Sequence, residues 1–108
     1  MLDLTNLRMI TNGNKTMLNA LLTEFISTTD HDLKELSSAI TDQKYGSIAR
    51  LSHRIKGAAA IVGASELVEL TAKLEAAAYQ SGQDNPSDLL DRIVHCYKNV
   101  SEEINHYK

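Results

Sequence analysis

One histidine and its neighbours at helical spacing carry the pattern most able to do chemistry in this sequence. His53 is followed three residues later by Lys56 and four residues later by Gly57. Residues three and four apart share one face of a helix, so both would lie beside the imidazole. A neutral imidazole is a nucleophile near pH 7, and an ammonium group beside it could neutralise a phosphoryl oxygen. Glycine leaves the ring uncovered, although glycine inside a helix costs about 0.5–1 kcal/mol relative to alanine.

The apolar pattern around His53 predicts that its ring faces solvent. At about 100° per residue, Leu51, Ile55 and Val62 fall within roughly 40° of the pole opposite His53. The expected neighbours on the histidine's own face are all small, namely Ala49, Gly57 and Ala60. A single exposed histidine usually has no function. An exposed histidine with a small rim, a lysine at plus three and a glycine at plus four favours a functional interpretation.

Charge is sorted along the chain in a way that supports this interpretation. Residues 43–65 contain four basic and no acidic side chains, whereas the whole chain has 11 basic and 14 acidic residues and a formal net charge of −3. The acidic balance argues against a general nucleic-acid binder. The local excess of positive charge instead favours a phosphate group at the histidine.

Helices must position these residues, because the composition disfavours sheets. The chain has 108 residues with five Gly, one Pro and 5% aromatic residues, which suits one all-α domain spanning residues 1–108. Apolar periodicity and turn signals predict helices at about 3–10, 14–42, 45–62, 65–80 and 86–106. Gly63 is placed to end the third helix, and Asn85 with Pro86 to start the last. Short connections then imply an antiparallel up-down-up-down four-helix bundle with a short additional N-terminal helix.

Several other classes of protein and site are disfavoured. No run of 18 apolar residues exists and the N-terminus lacks a basic leader, so we expect neither a membrane span nor a signal peptide. The single Cys96 excludes an internal disulfide and fits a reducing compartment. His31 stands between two aspartates and His95 beside Cys96, but adjacent helical residues point in different directions, so we expect no metal site.

The segment resembles the signature of a known family. The matching residues are His53-Arg54-Ile55-Lys56-Gly57-Ala58-Ala59-Ala60, followed by Gly63-Ala64, Leu67, Leu70 and Leu74-Glu75. They resemble a histidine-containing phosphotransfer (HPt) domain, and the likeness extends over the whole chain. It is strongest to the C-terminal HPt module of a bacterial hybrid sensor histidine kinase, with a free-standing version left open.

The resemblance implies a phosphorelay carrier. His53 would accept a phosphoryl group from a receiver-domain aspartyl-phosphate and pass it to the receiver of a response regulator. Lys56 would stabilise the phosphoryl group and Gly57 would keep the ring accessible. Glu75 falls where some members carry a polar residue that orients the site, although a carboxylate there would repel phosphate. The expected receiver-docking residues are Ala49, Arg50, Arg54, Ala60 and Ile61.

A carrier of this kind would depend on its partners for ATP binding and for the metal ion. It has no Gly-rich ATP loop and no acidic pocket for Mg²⁺, so we expect the metal on the receiver and no cofactor of its own. We expect a monomeric, cytoplasmic domain, or the cytoplasmic part of an inner-membrane sensor kinase, with no nucleic-acid or direct membrane contact. Whether it counts as an enzyme depends on that kinase context.

Two alternative functions remain at this stage. One is a helical adaptor that docks a receiver domain without carrying phosphate, although the intact set of His53, Lys56 and Gly57 argues against it. The other is a small metal-binding bundle, which the absence of inward-facing Glu and Glu-x-x-His pairs disfavours.

Overall fold

The four long helices and one short helix of the computed structural model form a bundle measuring 43 × 20 × 19 Å. The structure describes residues 2–79 and 84–108. The helices are α1 (Thr5–Ile10), α2 (Lys15–Thr41), α3 (Tyr45–Ile61), α4 (Ser65–Tyr79) and α5 (Pro86–Tyr107). Each long helix packs against the next, and α5 returns against α2, which closes the bundle. These contacts and the absence of strands among the described residues confirm the predicted fold class.

Most predicted helix ends lie within two residues of the observed ends. The predicted end of α4 at residue 80, and the turn expected at Ser81–Gly82, lie outside the described residues. The start of α5 is as expected, because Pro86 is its first residue and the Asn85 side chain accepts hydrogen bonds from the backbone N–H groups of Ser87 and Asp88. One buried core runs through the bundle, and its largest members include Leu22, Leu36, Leu51, Ile55, Leu67, Leu74, Ile93 and Ile104.

Helix α3 is buried over a wider arc than its large apolar residues indicate. Besides the predicted stripe, the small residues Ala49, Ser52 and Ala59 are buried. These three residues lie on the same side of α3 as Lys56, whose side chain contacts α4. The contact between α3 and α4 is the most extensive that α3 makes. Ala49 is only 3% exposed, so its assignment to the exposed rim and the docking surface is wrong. Small side chains let α4 approach closely, and His53 therefore lies near the α4 edge of the exposed face.

The turn between α3 and α4 depends on a glycine. Gly63 has φ +74°, its N–H donates to the carbonyl of Ala60, and the N–H of Ala64 donates to the carbonyl of Ala59. This is the Schellman arrangement that ends many helices. The carbonyl of Gly63 also accepts from the N–H of Asp3 at 3.1 Å, which ties the N-terminal segment to this end of the bundle.

We expect Gly63→Ala to lower the free energy of unfolding by about 2 kcal/mol or more, because a side chain is strained at positive φ and would also collide with the Asp3 backbone. Gly13 is the matched control, since it has φ +75° but open space where an added methyl group would lie. Gly13→Ala should lower the free energy of unfolding only by the cost of a side chain at positive φ, about 1 kcal/mol. Urea denaturation followed by circular dichroism measures both. Equal losses would contradict close packing of Asp3 on the turn.

Candidate functional site

His53 lies in the middle of α3 with its side chain 68% exposed. Its Nδ1 atom is 3.1 Å from Oε2 of Glu75, a residue of α4 whose side chain is only 18% exposed. Among the described residues, no side chain bonds to the other ring nitrogen, Nε2. The ring is therefore held from one side by the neighbouring helix, and its second nitrogen is accessible.

Lys56 completes the contact between the two helices. Its Nζ atom donates to Oε1 of Glu75 at 2.7 Å, so each carboxylate oxygen serves one side chain of α3. The hydrogen bond from Lys56 is the main cause that lowers the pKa of Glu75. Partial burial of the carboxyl opposes this shift, and the charges of Lys56 and His53 make smaller contributions that also lower the pKa. Glu75 is thus ionised at neutral pH.

The ionised carboxylate determines which ring nitrogen of His53 carries the proton. A carboxylate only accepts hydrogen bonds, so a neutral His53 must place its hydrogen on Nδ1 to bond with Glu75. The lone pair of Nε2 then faces solvent. When a carboxylate on the inner side of the ring holds an imidazole in one tautomer, the outer nitrogen is arranged as a nucleophile.

The surface beyond His53 is open at the position of Gly57. A Cβ atom added to Gly57 would meet no atom of another part of the protein within 4 Å. Ala60 is also exposed. The rim expected from the sequence is therefore formed by Gly57 and Ala60, without Ala49.

The basic residues of α3 are partly paired with acids from neighbouring helices. The Arg54 guanidinium lies 3.3 Å from Oδ1 of Asp32 on α2, whose side chain is only 4% exposed. Asp32 stands beside His31 in the sequence, and its burial was not predicted. Its spacing did carry a signal, because Phe25, Thr29, Asp32 and Leu36 step by helical intervals along the buried face of α2. The positive patch is accordingly weaker than the local charge count predicts.

The other expected docking residues lie on the exposed side of α3. Arg50, Arg54 and Ala60 are exposed, and Ile61 is 45% exposed. Ile61 lines an apolar groove with Ile10 of α1, Leu21 and Phe25 of α2, and Ala58 of α3. The contribution of α1 to this groove could not be foreseen, because a short helix gives no periodic signal for where it packs.

The remaining candidate residues lie apart from this site. His31 contacts Glu35 on its own helix through Nε2, at 3.0 Å, and His95 and His106 are exposed. Cys96 is buried, and burial is the main cause that raises the pKa of its thiol. No cluster of three or more metal-ligating side chains occurs in residues 2–79 and 84–108. Nor does any helix in the described part combine the length and apolar character needed to cross a bilayer.

Comparisons with known proteins add independent findings. A family model described as the Hpt domain matches residues 20–103. The chain is similar in structure to histidine-containing phosphotransfer protein B (HptB) from Pseudomonas aeruginosa PAO1, with a TM-score of 0.90 and 19% sequence identity over 98% of this chain and 92% of that one. At this level of identity the likeness shows a shared fold. A search of curated proteins gave no match.

Proposed function

Since the chain belongs to the Hpt domain family and is a phosphotransfer carrier of two-component signalling, we propose that His53 is the residue that carries the phosphoryl group. The observation that supports this assignment most strongly is the exposed Nε2 atom of a ring whose Nδ1 atom faces the ionised Glu75. None of the other three histidines has both an accessible ring nitrogen and a partly buried carboxylate of a neighbouring helix bonded to its other nitrogen.

The proposed transfer needs no general base. Nε2 attacks the phosphorus of an aspartyl-phosphate on a receiver domain, and an N–P bond forms as the O–P bond breaks. The electron pair of the broken bond leaves with the aspartate carboxylate, while Nδ1 keeps its hydrogen. The ring becomes a cation, and Glu75 lies against it. Transfer to a second receiver reverses these steps, with the new aspartate oxygen as nucleophile.

Lys56 offsets the repulsion that the Glu75 carboxylate would exert on a phosphoryl group. Its ammonium group balances the charge of Glu75, and Glu75 lies on the Nδ1 side of the ring. An ammonium has three donors, of which the bond to Glu75 uses one. We assign to Lys56 both the positioning of Glu75 and stabilisation of a phosphoryl oxygen.

The proposed partners are receiver domains, one upstream and one in a downstream response regulator. The receiver would cover His53, Gly57 and Ala60, with Arg50 at the side and the apolar groove at Ile61 as an extension of the contact. We place Mg²⁺ on the receiver, because phosphoryl transfer needs more charge neutralisation than the side chains of Lys56 and Arg50 would supply. Such a transient interface should be modest in size.

The test uses purified receiver domains encoded in the same genome, each phosphorylated with labelled acetyl phosphate and mixed with the chain. We expect at least one receiver to lose label to the chain, with the phosphoryl group on Nε2 of His53 as located by mass spectrometry and ¹⁵N–³¹P coupling. If no receiver in the set transfers label, and at least one of them binds the chain stably, the result would support the adaptor alternative and contradict the proposal.

A further inference from the structure

We infer that Glu75 controls how fast the phosphoryl group leaves His53, by holding the phosphorylated ring in its protonated form so that the departing group is neutral imidazole. The inference rests on the proposed function and extends it from uptake to donation. It concerns a positioning residue, because Glu75 contacts the ring at Nδ1 and not at the reacting nitrogen.

The geometry allows the contact to persist after phosphorylation. Nδ1 and Nε2 lie on different edges of the ring, so a phosphoryl group on Nε2 leaves the 3.1 Å contact between Nδ1 and Oε2 in place. When an aspartate oxygen attacks phosphorus, the N–P bond breaks and its electron pair returns to Nε2. With a hydrogen on Nδ1 the product is neutral imidazole. Without that hydrogen it would be an imidazolate anion, which is a far poorer leaving group.

The charges around the ring identify Glu75 as the group that favours the cationic form. On α3, Lys56 opposes a ring cation but is bonded to the other oxygen of Glu75, and Arg54 turns towards Asp32 of α2. Arg50 is exposed, so solvent screens it. From α4, Glu75 approaches the ring, and no other described residue forms an ion pair with His53. A nearby opposite charge favours the charged form of a titratable group.

Glu75→Gln is the informative substitution, because glutamine keeps the size of the side chain and an oxygen for the Nδ1 hydrogen but removes the charge. The parent and the variant are labelled with ¹⁵N and phosphorylated with potassium phosphoramidate. The ring midpoint is then followed by ¹⁵N shifts, and loss of phosphate from the ring is measured between pH 5 and 9. Glu69→Gln is the matched control, since Glu69 is an exposed residue of the same helix.

We expect Glu75→Gln to lower the midpoint of the phosphorylated ring by about one pH unit. Above both midpoints, hydrolysis and transfer to a receiver should slow about tenfold, because a smaller fraction of the ring is protonated. Below both midpoints the rates should coincide. Glu69→Gln should follow the parent throughout. A merely structural role of Glu75 would lower rates at every pH without moving the profile.

The outcomes separate this inference from the proposed function. Identical pH profiles for parent and Glu75→Gln, with His53 phosphorylated in both, would overturn the inference alone. Failure of His53 in the parent to take phosphate from either phosphoramidate or phosphorylated receivers would overturn the proposed function and the inference with it.

Discussion

Replacing His53 by glutamine is expected to reduce phosphoryl uptake from a phosphorylated receiver by at least about a thousandfold, because a covalent transfer has no route without its nucleophile. Glutamine keeps a polar group that can lie near Glu75. Since His53 is an exposed residue, the free energy of unfolding should change by no more than about 0.5 kcal/mol. Rapid-quench labelling measures the transfer, and a thermal melt of the same sample shows that the bundle is intact.

The other histidines of the chain provide the control. His31, His95 and His106 are also exposed, so a variant with all three replaced by glutamine tests whether exposure alone permits labelling. His31 also contacts a carboxylate, but through Nε2 and from one turn away on its own helix. We expect the triple variant to take up label at the parent rate. Label that persists in His53→Gln and disappears in the triple variant would refute the assignment of His53.

Much of the fold could be predicted because its signals are local. The apolar stripes of α2 and α5 repeat at helical intervals, and Asn85, Pro86 and Gly63 mark helix ends through backbone geometry that neighbouring residues alone determine. Residues at the stripe edges, such as Leu33 and Leu90, are only partly buried. Their exposure depends on how each helix is rotated against its neighbours, which a stripe defines only coarsely.

The exposure of the proposed nucleophile was predictable from the sequence, but the residues that surround it were not. The exposure of His53 and the open space at Gly57 follow from α3 alone. The burial of Ala49 and the contact with Glu75 depend on how α3 turns against α4. Alanine and serine give little apolar signal, so the side of α3 beneath α4 could not be recognised from periodicity. The family resemblance marked the Glu75 position, and the structure supplied its two partners.

Gly57→Leu is expected to stabilise the isolated bundle and yet slow phosphoryl transfer at least about a hundredfold, a loss comparable to a small misplacement of reacting groups. Glycine is among the poorest helix formers, and a Cβ atom added at this position would meet no neighbour within 4 Å. Leucine should therefore raise the free energy of unfolding by about 0.5–0.8 kcal/mol. Helical side chains lean towards the N-terminus, so leucine at position 57 would cover His53, one turn earlier. Urea denaturation and rapid-quench labelling of one preparation measure both effects.

Gly57→Ala separates access from backbone effects. Alanine gives the same direction of stabilisation, about 0.5–1 kcal/mol, but reaches too short a distance to cover the ring. It should keep most of the transfer rate. If alanine and leucine slow transfer equally, backbone freedom at position 57 is the cause and the access argument fails. If leucine stabilises the bundle and only leucine blocks transfer, the glycine is retained at the expense of helix stability because His53 must meet a phosphorylated partner.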